Sequence, residues 1–275
     1  MDEILILGKD GQLGREFCRY CDKKNINYQA FSKAELDITD FSNVAKIIKI
    51  QRPKIIINCT AYNQVDLAEK NNKLAFQINE LAVKNLAMLA KQYKIKLIHY
   101  SSDYVFDGTK KEGLYVEEDE PNPINQYGKS KLAGEIAIQE ILDDFLIFRV
   151  SWVYGIGQQN FIYKLLKWSE KQDVLQIADD EVSVPTSTRT ITHITWQVIE
   201  EELNGLYHLT NQGSCSRYEW AKEIFRIKNI NKEIQPVSKD SFNLPAKRPG
   251  FSAMDSSKLG FDIKNWQSEL EEMLD

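Results

Sequence analysis

Cysteine, histidine and proline are scarce in this 275-residue chain, which holds four, three and seven of them. Four scattered thiols are too few for a disulfide framework. Cys18 and Cys21 form a CxxC on the first predicted helix, but no second pair completes a metal site, so buried or idle thiols are expected. No apolar run approaches the roughly 20 residues needed to span a bilayer. The N-terminus enters a strand pattern without the features of a signal peptide. A basic excess is missing as well: 35 Lys and Arg against 40 Asp and Glu give a net charge of −5, which argues against a nucleic-acid surface. There is no internal repeat, low-complexity tract or flexible linker. With 43% hydrophobic and 27% charged residues, the composition is that of a soluble globular protein, expected in the cytoplasm.

What the chain does have is an alternation of strand and helix signals through its first 150 residues, the mark of a parallel α/β sheet. Ile4-Leu5-Ile6-Leu7 reads as a strand buried on both faces. Gly8, Gly11 and Gly14 follow at three-residue spacing, before a helix over 15–24. Glycines placed so allow a tight turn, a close backbone approach to a pyrophosphate and close packing of helix on strand, with the helix N-terminus facing the phosphates.

A second strand over 28–31 ends at Ser32 and Lys33, where an NAD site usually carries a carboxylate for the ribose. Serine and lysine suit a 2′-phosphate, which favours NADPH, while nearby Glu35 keeps NADH open. Residues 36–40 read as a short third strand entering a helix capped by Thr39 or Asp40; Asp37 either reaches an adenine or belongs to the turn. Strands are expected over 53–58, 97–100 and 146–150, the last counted as the sixth. A long helix is expected over 70–93. The polar segment 107–126 reads as a loop or lid with solvated acids, and His99 as packed in or beside the sheet.

The chemistry centres on Tyr127-Gly128-Lys129-Ser130-Lys131. On a helix, Tyr127 and Lys131 share a face. A free phenol titrates near 10, and an adjacent ammonium would lower it toward the working range. Ser102, delivered by the strand ending in Ser101-Ser102-Asp103, could hydrogen-bond the same phenol. That set suits proton transfer to a carbonyl oxygen while hydride reaches its carbon.

Beyond Gly155 the units are shorter. Helices are expected over 161–171, 194–203, 218–228 and 266–274, with strand-like 174–177, 206–209 and 234–237. The expectation is a Rossmann-type, doubly wound parallel sheet in residues 1–155. Residues 156–275 would mainly form a smaller α/β substrate-binding subdomain, with some segments free to return to the first.

Several motifs together resemble a known family. Gly8-Lys9-Asp10-Gly11-Gln12-Leu13-Gly14, Asn58-Cys59-Thr60-Ala61-Tyr62, Ser101-Ser102-Asp103-Tyr104-Val105-Phe106-Asp107-Gly108, Tyr127-Gly128-Lys129-Ser130-Lys131, Arg149-Val150-Ser151-Trp152-Val153-Tyr154-Gly155 and Arg248-Pro249 are similar to those of extended short-chain dehydrogenase/reductases, most closely the dTDP-4-dehydrorhamnose reductases. The resemblance implies NAD(P)H-dependent reduction of the 4-keto group of a dTDP-linked 6-deoxyhexose in dTDP-rhamnose and cell-surface polysaccharide synthesis. It makes Tyr127 the proton donor, Lys131 a ligand of the nicotinamide ribose and Ser102 the partner of the phenol, at a position where the family usually has threonine.

It also puts Gly8, Asp10, Gly11, Gln12, Leu13 and Gly14 at the dinucleotide phosphates and Asp37 and Ile38 by the adenosine. Ala61, Tyr62 and Asn63 fall near the ribose and nicotinamide, and Ser102, Asp103 and Trp152 at the sugar. Some members bind magnesium at a dimer contact; those acidic positions have no match here, so no metal is expected, and a homodimer stays open. Arg248 is left between a solvated cation and a phosphate ligand. Another nucleotide-sugar ketoreductase, an epimerase, or a non-catalytic regulatory subunit of the same fold are the alternatives.

Overall fold

The computed structural model describes residues 4–274. Six parallel strands form the central sheet in the order β10-β5-β4-β3-β1-β2. In chain order these are β1 (Ile4–Leu7), β2 (Tyr28–Phe31), β3 (Ile55–Asn58), β4 (Lys96–Ser102), β5 (Phe145–Val150) and, after four short strands, β10 (Gly205–His208). Successive side chains of a strand point to opposite faces, and here both faces are covered. Leu5 and Leu7 therefore enter one core with Ile56, Val44 and Leu86, while Ile4 and Ile6 enter the other with Ile57, Phe17 and Phe148. Burying a side chain such as Phe17 completely stabilises the fold by about 1.5–3 kcal/mol.

The helices follow from the same bookkeeping of faces. On one side lie α1 (Gln12–Lys24) and α8 (Thr188–Glu200), on the other α2 (Phe41–Gln51), α5 (Ala82–Tyr93) and α6 (Gln126–Ile141). Asp40 caps α2 by accepting from Asn43 N–H, as expected. The expected strand over 36–40 does not form. Asp37 accepts from both the backbone N–H and the hydroxyl of Thr39, which closes a turn in its place. The strand ending at Val150 is thus the fifth, not the sixth.

The long helix expected over 70–93 is broken into α3 (Val65–Lys70), α4 (Asn72–Phe76), a π-helical turn over Gln77–Leu81, and α5. The strand expected over 206–209 joins the main sheet, pairing in parallel with β5.

Six short strands and three helices make the smaller lobe: β6 (Val153–Tyr154), α7 (Phe161–Ser169), β7 (Val174–Ala178), β8 (Val182–Ser183), β9 (Thr186–Ser187), β11 (Cys215–Ser216), α9 (Arg217–Ile227), β12 (Glu233–Val237) and α10 (Trp266–Leu274), with β9 leading straight into α8. Its core gathers Tyr154, Leu165, Ile177, Trp220, Phe225 and Leu270. The segment 107–126 is packed rather than a free lid. Tyr115 bridges to Met254, and Glu117, expected to be solvated, accepts from His208 N–H at 2.6 Å. Among the described residues no helix is long and apolar enough to cross a membrane.

Candidate active site

Open parallel sheets bind ligands beyond the strands' C-terminal ends, where the strand order reverses. Here that point lies between β1 and β3. Gly8 follows β1 with φ +88°, a conformation side-chain-bearing residues rarely adopt. A Cβ on Gly14 would sit 2.2 Å from Gly8 O, so α1 can press on the turn only with glycine there. Gly11 caps α1 without any side-chain cap, and no acid occupies the first helical turn. The result is a cradle of backbone amides at a helix N-terminus, the arrangement that attracts phosphate.

A cleft of about 620 Å³ opens from this turn, bounded by Gly8, Asp10, Gly11, Lys33, Asp37, Ile38, Ala61, Tyr62 and Asn63. Nine of the residues expected at a dinucleotide thus line one cavity. Four others from the turn and the end of β2 do not line it: Gly14 is pressed against Gly8, and Ser32, Leu13 and Gln12 have other partners. Ser32 gives both its N–H and its hydroxyl to Glu35. Leu13 packs into the core beside Phe17. Gln12 reaches across to Val153 O at 2.9 Å and tethers α1 to the smaller lobe. Glu35 itself is held by Lys9, which leaves the exposed Lys33, 3.9 Å from Asp37, as the basic side chain at this end of the cleft.

At the C-terminal end of the same sheet β4 delivers Ser102, with Asp103 just beyond it, and α6 delivers Tyr127 and Lys131. Asn125 starts α6 by accepting from Gly128 N–H. Tyr127 is half-buried, its ring edge-on to Tyr104 at 5.8 Å. Burial pushes its phenol up to about 12, with the Asp103 charge adding and a hydrogen bond from Ser102 opposing. This reverses the lowered value expected from the sequence. Lys131 sits in the same helix face but turns inward: its Nζ donates to Tyr100 O at 2.6 Å and lies 3.2 Å from His99 Nε2. Burial lowers the lysine to about 8. A phenol near 12 is fully protonated at neutral pH, the form a proton donor needs.

Asp103 is a hub rather than an open sugar contact. It is buried, and its carboxylate accepts from the hydroxyls of Ser102, Ser183 and Ser252. Trp152 holds φ +40°, strained for a tryptophan, and its ring stacks on Trp220 at 5.6 Å. The Arg217 guanidinium lies 3.6 Å over that ring.

Trp152, Phe161, Glu181, Arg217 and Arg248 border a second cavity, of about 380 Å³. Arg248 is neither solvated nor free: it forms a bidentate pair with Asp66, at 3.1 and 2.7 Å. Sequence reasoning missed Arg217, Phe161 and Glu181, which lie in no recognised motif. It also missed Asn79 in the π-helical turn, whose amide pairs with both backbone groups of Tyr62 and donates to Ser130 on α6.

Fold and site together define a class: Rossmann-type oxidoreductases that set a Ser–Tyr–Lys group beside a dinucleotide cleft. The family model for the RmlD substrate binding domain matches residues 1–275. Among curated proteins, the dTDP-4-dehydrorhamnose reductase of Escherichia coli is 34% identical, covering 98% of this chain and 96% of its own. The spore coat polysaccharide biosynthesis protein SpsK of Bacillus subtilis is 31% identical over 100% and 97%.

Among solved structures, a dTDP-4-dehydrorhamnose reductase from Bacillus anthracis in complex with NADP is 35% identical with a TM-score of 0.95, covering 99% of each chain. The Clostridium acetobutylicum reductase reaches the same TM-score at 36% identity, covering 98% of each. The chain belongs to this family, that of the RmlD-type dTDP-4-dehydrorhamnose reductases.

Proposed function

We propose that this protein reduces the 4-keto group of dTDP-4-dehydro-β-L-rhamnose to give dTDP-L-rhamnose, with NADPH as the preferred reductant and NADH as the second. The observation that carries the reading is a protonated tyrosine, Tyr127, hydrogen-bonded to Ser102 at the C-terminal end of β4, in the same sheet whose β1 leads into the glycine cradle.

The cradle at Gly8, Gly11 and Gly14 fits a pyrophosphate, since its amides stand at the N-terminus of α1 with no side-chain cap, and Lys33 suits a 2′-phosphate. Asp10 and the first amides of α1, from Gln12 and Leu13, serve the same phosphates; Asp37 and Ile38 flank the adenosine; Ala61, Tyr62 and Asn63 border the ribose and nicotinamide. When bound, the nicotinamide supplies the hydride. The chain's own part is to orient the sugar and supply the proton. Ser102 and Trp152 position the keto group, Asp103 fixes Ser102, and Tyr127 donates its phenolic proton to the oxygen as it becomes an alcohol. Lys131 supports the phenol from the same helix face. Arg217, cationic over Trp152, faces a cavity suited to the diphosphate and base of a nucleotide sugar. In this reading residues 1–155 bind the dinucleotide and residues 156–275 mainly bind the sugar nucleotide.

The test is oxidation of NADPH and of NADH with enzymatically generated dTDP-4-dehydro-L-rhamnose, followed by absorbance and by chromatography of the product. Rapid oxidation with dTDP-L-rhamnose formed supports the reading and ranks the cofactors. Binding of NADPH without oxidation would overturn the substrate and point to another keto sugar; conversion without net oxidation would mark an epimerase.

A further inference from the structure

Behind Lys131 runs a buried chain of side chains whose hydrogen-bonding roles can be counted. Asn58, at the end of β3, accepts at Oδ1 from the backbone N–H of Thr60 at 3.1 Å and from its hydroxyl at 2.5 Å. A backbone N–H can only donate, so the Asn58 amide cannot be turned round, and its Nδ2 must face the other way. There it meets Nδ1 of His99 at 3.1 Å. The opposite ring nitrogen, Nε2, lies 3.2 Å from Lys131 Nζ, which also donates to Tyr100 O. All three side chains are buried to within a few per cent.

A neutral imidazole has one donor and one acceptor nitrogen. If Nδ1 accepts from Asn58, Nε2 carries the proton and points it at Lys131, which can receive it only as a neutral amine. If Lys131 is an ammonium, Nε2 must accept, and the Nδ1 proton then faces the Asn58 amide protons. The chain thus has one proton too many whenever Lys131 is charged, and in a buried site that contact is costly.

We propose that Asn58 and His99 are positioning residues that set the proton affinity of Lys131: the amide dictates which nitrogen of His99 donates, and the ring favours the lysine as an amine over an ammonium. The lowering of Lys131 to about 8 agrees in direction, as does the holding of His99 neutral by burial and by the lysine's charge.

The other titratable groups around the chain do not undo this. Glu135, one helical turn on, raises the lysine but is closed in a pair with Arg149 of β5. Burial holds Asp103 beyond β4, Cys59 beyond β3 and Tyr127 on α6 toward their protonated forms. The inference deepens the proposed function in that it rests on Lys131 being the partner of Tyr127, but its first readout needs no turnover.

The chain has only three histidines, so ring-nitrogen NMR of histidine-labelled protein can assign His99. On the alkaline side of the Lys131 transition, wild type is expected to show His99 protonated at Nε2. Asn58→Asp keeps an acceptor for Thr60 and presents a second acceptor to Nδ1. That variant is expected to hold His99 protonated at Nδ1 throughout, and to move the Lys131 transition up by about one pH unit or more, a tenfold gain in proton affinity. An Nδ1-protonated ring in alkaline wild type, which requires no variant to fold, overturns the proposal. So does an unmoved transition in Asn58→Asp. A protein inactive on the keto sugar but with the expected tautomers would overturn the proposed reaction and leave this inference standing.

Discussion

Replacing Gly14 with alanine tests how the cofactor cradle is built. The added Cβ would lie 2.2 Å from Gly8 O, 2.8 Å from its carbonyl carbon and 2.9 Å from Lys9 Cα. All three are backbone atoms of the turn itself, so no side chain can swing aside, and helix and turn must part by roughly 1 Å in a close-packed interior. Overpacking of this kind costs about 1–3 kcal/mol, with Tm falling by roughly 2–4 °C for each. The cradle then loses alignment with a phosphate; forfeiting one hydrogen bond to a charged group, about 1.5–3 kcal/mol, weakens NADPH binding roughly tenfold to a hundredfold.

Gly11→Ala is the milder comparison, because its nearest contact is 3.3 Å and its φ is ordinary, so a loss of about 1 kcal/mol or less, that of an N-cap glycine replaced by alanine, is expected. Gly8→Ala falls between, with φ +88° and a 3.0 Å contact to Thr60 Cγ2. Fluorescence titration of NADPH and thermal denaturation of the three variants give the ranking. Wild-type binding by Gly14→Ala, or greater damage from Gly11→Ala, would refute the reasoning.

Tyr127→Phe removes the proton donor and keeps the ring, so kcat is expected to fall about 10²–10⁴-fold with NADPH affinity unchanged; steady-state kinetics with a binding titration checks it, and undiminished turnover would sink the assignment. Glu135→Gln leaves the buried Arg149 guanidinium without its carboxylate, which now holds it at 2.7 and 3.1 Å; urea denaturation should show a loss of about 3–5 kcal/mol, largely recovered when Arg149→Met is added. Lys131, at about 8 instead of the usual 10.5, loses its proton as pH rises through about 8, so kcat should decline there while circular dichroism stays constant. Between those two values the unfolded chain binds the extra proton, so this residue's contribution to stability rises with pH across the window, not falls.

Local signals carried much of this architecture. A four-residue apolar run, a glycine turn and a helix-spaced Tyr and Lys are each encoded within a few residues, and β1, the cradle and the start of α6 appear where those patterns stand. The misreadings have equally local causes. Leu36 and Ile38 alternate with polar neighbours as a strand would, but the Asp37 side chain captures Thr39 and bends the chain. The π-helical turn within the segment 70–93 carries Asn79, whose partners Tyr62 and Ser130 lie in other segments. That β10 belongs to the large sheet, and that Arg217 covers Trp152, are long-range pairings with no signature near either residue. The inward turn of Lys131 escaped notice because helix spacing gives the face of a side chain and not the partner at its tip.

The three serines on Asp103 have a consequence for how the protein is made. Ser183 and Ser252 lie 80 and 149 residues further along the chain than the carboxylate they bind. On the ribosome, the strands from β1 to β5 can emerge and pair while Ser252 is still unsynthesised. Asp103, and with it Ser102, reaches its final setting only when Ser252 has left the exit tunnel. A nascent chain can therefore assemble its sheet and glycine cradle early, while the Asp103 hub waits for segments far downstream.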